Sequence, residues 1–315
     1  NPWIANESWY HRDVNGKILS PNNDWTDVAW LDYENPNMSA AMLDAMKYWV
    51  TEFDIDGFRA DVAGLVPLSF WESATTELQT IKPLFMLAEE QGTMGMLDKA
   101  FVANYNWELN ERINALAIGL TVPISHMKFV AKQASAYPKG SIPMNFITNH
   151  DENSWNGSEY KRLGAAVPAM AALTFTLPGI PLIYSGQEVG NTRELAFFEK
   201  DLIPNIEKEN STTAFYKKLV ALKKKNAALW NSAPFAAPEL IQVNENIISF
   251  YRVSGKNRVL TVINASDKPQ KTSIALNKLA GTYYQFSSNK QKKLTTKLTL
   301  TLKPWQFEIY SSAGN

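Results

Sequence analysis

The chain has 315 residues, of which 31 are basic, 31 acidic and 45 % hydrophobic, enough for one large barrel or two ordinary domains with full cores. Balanced charge leaves no basic footprint for nucleic acid, and the lack of any cysteine excludes disulfides, cysteine-ligated metals and thiol chemistry. The balance conceals an asymmetry: 11 basic and 4 acidic residues follow from Phe235 onward, against 20 basic and 27 acidic before it. Two regions with different surfaces are expected, the Lys-rich end being mostly a solvated face.

The chain opens Asn1-Pro2-Trp3 and reads as a processed or excised piece, so a missing signal peptide says nothing. From Asn1 to about Pro36 it is aromatic, polar and aperiodic, with a turn at Asn15-Gly16. Trp3, Trp9, Tyr10, Trp25, Trp30 and Tyr33 are candidate sugar-stacking platforms, although packing a loop-rich piece is the simpler role for most. From Ser39 a helical period sets Met42, Met46, Trp49, Val50 and Phe53 on one face. The strand Ile55 to Val62 follows, then a helix over about 67–81 and the strand Leu84 to Glu89. A short strand near Phe101 to Tyr105 precedes a long helical region over about 108–133. Next come the strand Met144 to Thr148, a helix over about 160–176, the strand Ile180 to Tyr184 and a helix over about 212–226. The uncharged run from Leu163 to Gln187 is broken by Pro168, Pro178, Gly179 and Pro181, which suits a buried helix and strand rather than a membrane span.

Short apolar strands alternating with helices predict a parallel α/β sheet. After about Ser232 the period changes to two, with strands near 247–251, 259–263, 273–276, 282–286, 298–302 and 306–310 and a hairpin loop at Ser254-Gly255-Lys256-Asn257. This predicts a separate all-β sandwich domain. The domains expected are a loop-rich segment 1–36, a barrel portion 37–232 and a β-sandwich 233–315.

Carboxylates stand where the parallel strands end: Asp61, Glu89 and Asp151. In a (β/α)₈ barrel that rim is where catalytic residues from different strands converge. Arg59 and Asp61 are two apart and share one strand face. Alone, they read first as a structural ion pair, because such pairs also perturb carboxyl groups. With the other two carboxylates they fit glycoside hydrolysis, which needs one carboxylic acid to protonate the leaving oxygen and one carboxylate facing the anomeric carbon. Arg59 favours an ionised Asp61, as a nucleophile requires, whereas the apolar approach Phe85-Met86-Leu87-Ala88 suits Glu89 as proton donor. Glu90 points the other way, so at most one of the two glutamates reaches the site. Rival chemistries are poorly supplied. His11, His126 and His150 lack metal-ligand spacing, and there is neither a Gly-rich phosphate loop after a strand nor a serine nucleophile elbow.

At these residues the sequence resembles the α-amylase family, glycoside hydrolase family thirteen. Gly57-Phe58-Arg59-Ala60-Asp61 is similar to its fourth-strand motif, Phe85 to Glu89 to its fifth, Phe146-Ile147-Thr148-Asn149-His150-Asp151 to its seventh, and Gly179 to Glu188 to its eighth-strand segment. The resemblance implies the C-terminal portion of a (β/α)₈ TIM barrel, strands four to eight, followed by the family's β domain. It implies Asp61 as nucleophile, Arg59 as its positioning partner, Glu89 as general acid/base, His150 as a ligand of sugar hydroxyls and Asp151 as stabiliser of the transition state. The expected activity is retaining hydrolysis of α-1,4 bonds in starch or maltodextrin. An α-glucosidase, a glucanotransferase and a non-catalytic glucan-binding relative are the alternatives.

The expected partner is an α-glucan, with no nucleic acid and no membrane span. No cofactor is expected for the chemistry. The family's third-strand Asp…Asn-His motif is expected upstream of Asn1, so residues 1–36 read as a remnant of a B domain and little hydrolysis is expected from residues 1–315 alone. Many α-amylases carry Lys-His where Gly64-Leu65 stand here, which leaves a structural calcium and the usual leaving-group contact open. The compartment expected is extracellular or periplasmic rather than cytoplasmic.

Overall fold

A computed structural model describes residues 2–92, 95–231 and 238–314. They fall into two compact units that meet in sequence between Tyr105 and Asn106. The expected boundary at 232/233 lies outside the described residues.

In the first unit, residues 2–35 form turns, two short 3₁₀ segments and isolated bridges rather than named strands. Their aromatic rings mostly pack: Trp3 lies edge-on to Trp9, and Tyr33 meets Phe70 at 4.7 Å. Helix α1 (Pro36–Phe53) begins where the Asn35 side chain accepts the N–H groups of Asn37 and Met38, with Pro36 filling the first turn, where no donor is needed. It ends at Asp54 in a left-handed conformation. Met38, Met46 and Val50 are buried, but Trp49 and Phe53 are 49 % and 57 % exposed, so the apolar face read from the helical period is only partly covered.

Strand β1 (Gly57–Ala60), helix α2 (Leu68–Gln79), strand β2 (Phe85–Ala88), the short α3 (Met96–Lys99) and strand β3 (Ala103–Tyr105) follow. The strands pair in parallel, Gly57 opposite Phe85 through Ala60 opposite Ala88, then Leu87 opposite Ala103. Gly57 is required by close approach: its φ is +154°, and a Cβ there would collide with the Phe85 carbonyl. α2 turns Trp71, Ala74, Thr75 and Leu78 inward, and Trp71 meets Phe101 at 5.2 Å. Full burial of a side chain such as Leu78 or Met86 contributes about 2 kcal/mol.

The second unit contains α4 (Trp107–Ala117), α5 (Pro123–Ala136), β4 (Ile142–Asn145), α6 (Glu159–Leu163), α7 (Val167–Thr176), β5 (Ile180–Pro181) and α8 (Ser211–Lys225). The single helix predicted over 108–133 is two. Gly119 takes φ +75° after α4, and Pro123 starts a new helix because it has no N–H to continue the old one. The helix predicted over 160–176 is likewise split, by a 3₁₀ turn from Gly164 to Ala166. Residues of α7 are almost all buried, which accounts for its uncharged sequence. No described helix is long and apolar enough to cross a membrane. Strands β4 and β5 pair in parallel, Met144 opposite Ile180.

Eight antiparallel strands complete this unit: β6 (Glu239–Val243), β7 (Ile247–Ser254), β8 (Asn257–Asn264), β9 (Gln270–Ala275), β10 (Gly281–Gln285), β11 (Gln291–Leu294), β12 (Lys297–Leu302) and β13 (Phe307–Ser311). A six-stranded sheet, ordered β11-β10-β13-β8-β7-β6, faces the β9–β12 pair across Tyr251, Leu260, Val262, Ile274, Leu298 and Leu302. Sequence periodicity had not shown β6 and β11. An apolar cluster runs from Leu109 through α7 and α8 into β7, β8 and β13. Buried Arg252 fastens β7 to that layer by donating to the carbonyls of Thr176, Leu177 and Trp230.

Candidate active site

Because Ala60 lies opposite Ala88, the chain leaves β1 and β2 side by side, and the next residues are Asp61 and Glu89. One guanidinium joins them. Arg59 donates to Asp61 through Nη1, and its Nη2 stands 3.3 Å from Glu89 Oε2. Both carboxyl groups therefore sit on one planar fork, close enough to exclude a separation beyond about 10 Å, outside either glycosidase geometry. Glu89 Oε2 also accepts the Val62 N–H at 2.8 Å. Its environment is thus more polar than the apolar strand before it suggested. The two acids differ in access, the Asp61 side chain being 73 % exposed and that of Glu89 16 %.

Arg59 is held from behind by Tyr105 at the end of β3. Its Nε donates to the Tyr105 hydroxyl at 3.3 Å, and its guanidinium lies 5.5 Å from the ring centre. Burial of the guanidinium works against its charge, but the bonds to Tyr105 and Asp61 outweigh it, so Arg59 holds its proton more firmly than usual. Glu90 turns back on its own loop, accepting the N–H groups of Gln91 and Gly92, as its opposite strand face predicts. It also occupies the space beside Gly64 that a Cβ would need.

In the second unit His150 and Asp151 follow β4. His150 Nε2 lies 3.3 Å from Asp151 Oδ2, and the Asn149 amide reaches the same oxygen at 3.4 Å. A buckle fixes this turn. Asn149 Oδ1 accepts the Glu152 N–H, the Glu152 carboxylate pairs with Arg162 at 2.9 Å, and Arg162 donates to the carbonyls of Ile147 and Gly157. The Arg162 and Glu152 side chains are 10 % and 12 % exposed, so the pair is strongly coupled. Tyr184, just beyond β5, is pushed up by burial and then by the Asp151 charge, which marks it as an electrostatic neighbour of that carboxylate. Sequence reasoning assigned no role to Tyr105, Tyr184, Glu152 or Arg162. The first two were legible only as aromatic ends of predicted strands, and nothing local signals the other two.

Residues 7–119 match the family described as Alpha amylase, catalytic domain, and residues 239–309 that described as Maltogenic Amylase, C-terminal domain. Over these two stretches the chain is similar to the α-amylases. A Maltogenic alpha-amylase of Bacillus acidopullulyticus is 24 % identical over 96 % of the chain and 54 % of its own length. An Intracellular maltogenic amylase of Bacillus subtilis is 25 % identical over 91 % of the chain and 50 % of its own length. The chain thus spans about half the length of these curated relatives. The crystal structure of a noncanonic maltogenic alpha-amylase from Thermotoga neapolitana superposes with a TM-score of 0.86 at 26 % identity, covering 99 % of this chain and 73 % of the other. The fold is accordingly that of the α-amylases, the C-terminal portion of a (β/α)₈ barrel with an all-β domain after it.

One expectation is corrected by these relatives. Two of them, both from Bacillus subtilis, are named intracellular maltogenic amylases, which overturns the extracellular or periplasmic assignment. Absence of cysteine was compatible with either compartment and had no power to separate them. The family's chemistry needs no cofactor. Among the described residues no group of three or more His, Asp or Glu is placed to hold a metal ion.

Proposed function

We propose that this chain carries the two-carboxylate machinery of an α-glucan hydrolase acting on α-1,4 bonds of maltodextrins by double displacement. Asp61 attacks the anomeric carbon while Glu89 gives its proton to the glycosidic oxygen, releasing the leaving sugar and forming a glycosyl ester on Asp61. Glu89, now a carboxylate, takes a proton from water, which displaces Asp61 and yields a product of retained configuration. Arg59 orients both acids; in the second unit His150 and Asp151 are proposed, by themselves, as ligands of sugar hydroxyls. The observation that carries this reading is the single Arg59 guanidinium shared by Asp61 and Glu89 at the ends of two adjacent parallel strands. The names of the relatives, maltogenic amylases and cyclomaltodextrinases, support a soluble α-glucan as substrate.

The test uses the protein carrying this chain and maltoheptaose. Asp61→Asn and Glu89→Gln are each expected to lower kcat by at least about 10³-fold. Proton NMR of the first product should show the α-anomer. A β-anomer first, or near-normal turnover by either variant, would overturn the mechanism. The distribution of products separates a hydrolase from a glucosidase, which releases glucose alone, and from a transferase, which makes longer chains.

A further inference from the structure

Next to His150 the surface carries three exposed aromatic rings that packing does not require. Trp155 is 62 % exposed, Phe198 71 % and Phe197 40 %. They form a continuous group: Phe197 stacks on His150 with ring centres 6.1 Å apart and planes 24° apart, Trp155 meets Phe197 at 5.0 Å, and Phe198 meets Phe197 at 4.9 Å. Exposed apolar rings in a group beside polar side chains mark a binding surface rather than a core.

The group is also built. Trp155 lies in the π-turn Glu152–Asn156 that follows Asp151, and the phenylalanines lie in the loop after β5. Buried Asn153 ties the two, accepting the Leu195 N–H at 2.8 Å and donating to the Arg193 carbonyl at 3.0 Å. Asp201 closes the loop from the other side. It accepts both Nη2 contacts of Arg193 at 2.9 Å and the Ala196 N–H at 3.1 Å, and the Ala196 N–H and then Arg193 hold its carboxyl below the ordinary range. The rings are therefore presented on a braced loop, so little ordering remains to be paid when a ligand arrives.

We infer that Trp155, Phe197 and Phe198 form a stacking shelf for the pyranose ring of an α-glucan chain, extending outward from the sugar held at His150 and Asp151. A pyranose has an apolar C–H face and a rim of hydroxyls. The aromatic group fits the face, and the His150–Asp151 pair beside it fits the rim. The shelf rests on the proposed function for the identity of its ligand, and it selects chains long enough to cover both sites.

The test has two arms in the protein carrying this chain. In the first, maltoheptaose binding is measured by calorimetry on a Glu89→Gln background, with and without Trp155→Ala plus Phe198→Ala. Affinity should fall about tenfold or more with the shelf removed. In the second, steady-state kinetics with active Glu89 should show KM for maltoheptaose rising by a similar factor at nearly constant kcat, with p-nitrophenyl α-glucoside unaffected. Trp155→Tyr should restore most of the loss. Unchanged maltoheptaose affinity, equal losses on both substrates, or a dimer that these substitutions dissolve without altering sugar binding would each overturn the shelf. Shelf-dependent binding without any hydrolysis would instead sink the hydrolase and leave the shelf standing.

Discussion

Glu159 → Gln should stabilise the protein at alkaline pH and do nothing comparable in acid. Glu159 is 2 % exposed, and its Oε1 has no hydrogen-bond partner. Burial pushes its carboxyl from 4.5 up to about 7, against the opposing pull of its own backbone N–H and of Arg162. Between those two values the folded state binds more protons than the unfolded state, so stability falls as pH rises through the window. At about 1.4 kcal/mol per pH unit, the displacement is worth about 3 kcal/mol, fully present below 4.5 and lost above about 7. Glutamine is neutral throughout and removes this dependence. Its fixed cost, such as an unsatisfied amide atom, is the same at every pH and cancels in the comparison. Urea unfolding of both proteins at pH 4.5, 6 and 8 gives the stability difference at each pH. That difference should move in favour of Glu159→Gln by about 3 kcal/mol across the series. A difference constant to within about 0.5 kcal/mol would instead show that Glu159 is solvated or paired in the folded state.

Arg162→Met should cost about 3–5 kcal/mol, because it leaves the Glu152 carboxylate buried without its partner, whereas adding Glu152→Gln should recover much of it. A double variant no more stable than the single one in urea would refute that coupling. Gly57→Ala would place a methyl against the Phe85 carbonyl and should remove more than about 4 kcal/mol, seen as loss of soluble, cooperatively folding protein. A variant within about 1 kcal/mol of the parent would contradict the close approach of β1 and β2. Lys223 donates to the Gly179 and Leu229 carbonyls while burial, and then Arg252, bring it down from 10.5 to about 7. The unfolded state binds the extra proton in that window, so wild-type stability should rise from pH 7 to 10 relative to Lys223→Met. Parallel pH profiles of the two proteins would count against a buried amine here.

Sequence alone determined a good deal. Alternation of short apolar strands with helices and the change to period two after Ser232 were enough for the fold class, since burial on both faces or on one leaves its mark on every residue of a strand. The paired positions Arg59 and Asp61, and the acids following two apolar strands, were equally legible, because a strand's period of two fixes which side chains share a face. Helix interruptions at Gly119 and Gly164 were not read, since an apolar period continues across a break that depends on one backbone angle.

Only the tertiary structure decided what those acids touch. Arg59 joins Asp61 to Glu89 because β1 and β2 are in register, a relation between residues nearly thirty positions apart that no local pattern encodes. The same holds for Tyr105 behind Arg59, for Arg162 bracing the His150 turn, and for Asn153 setting Trp155 beside Phe197. Local preference and hydrophobic period act over a few residues, whereas a site is made by side chains that meet only after the chain has closed on itself.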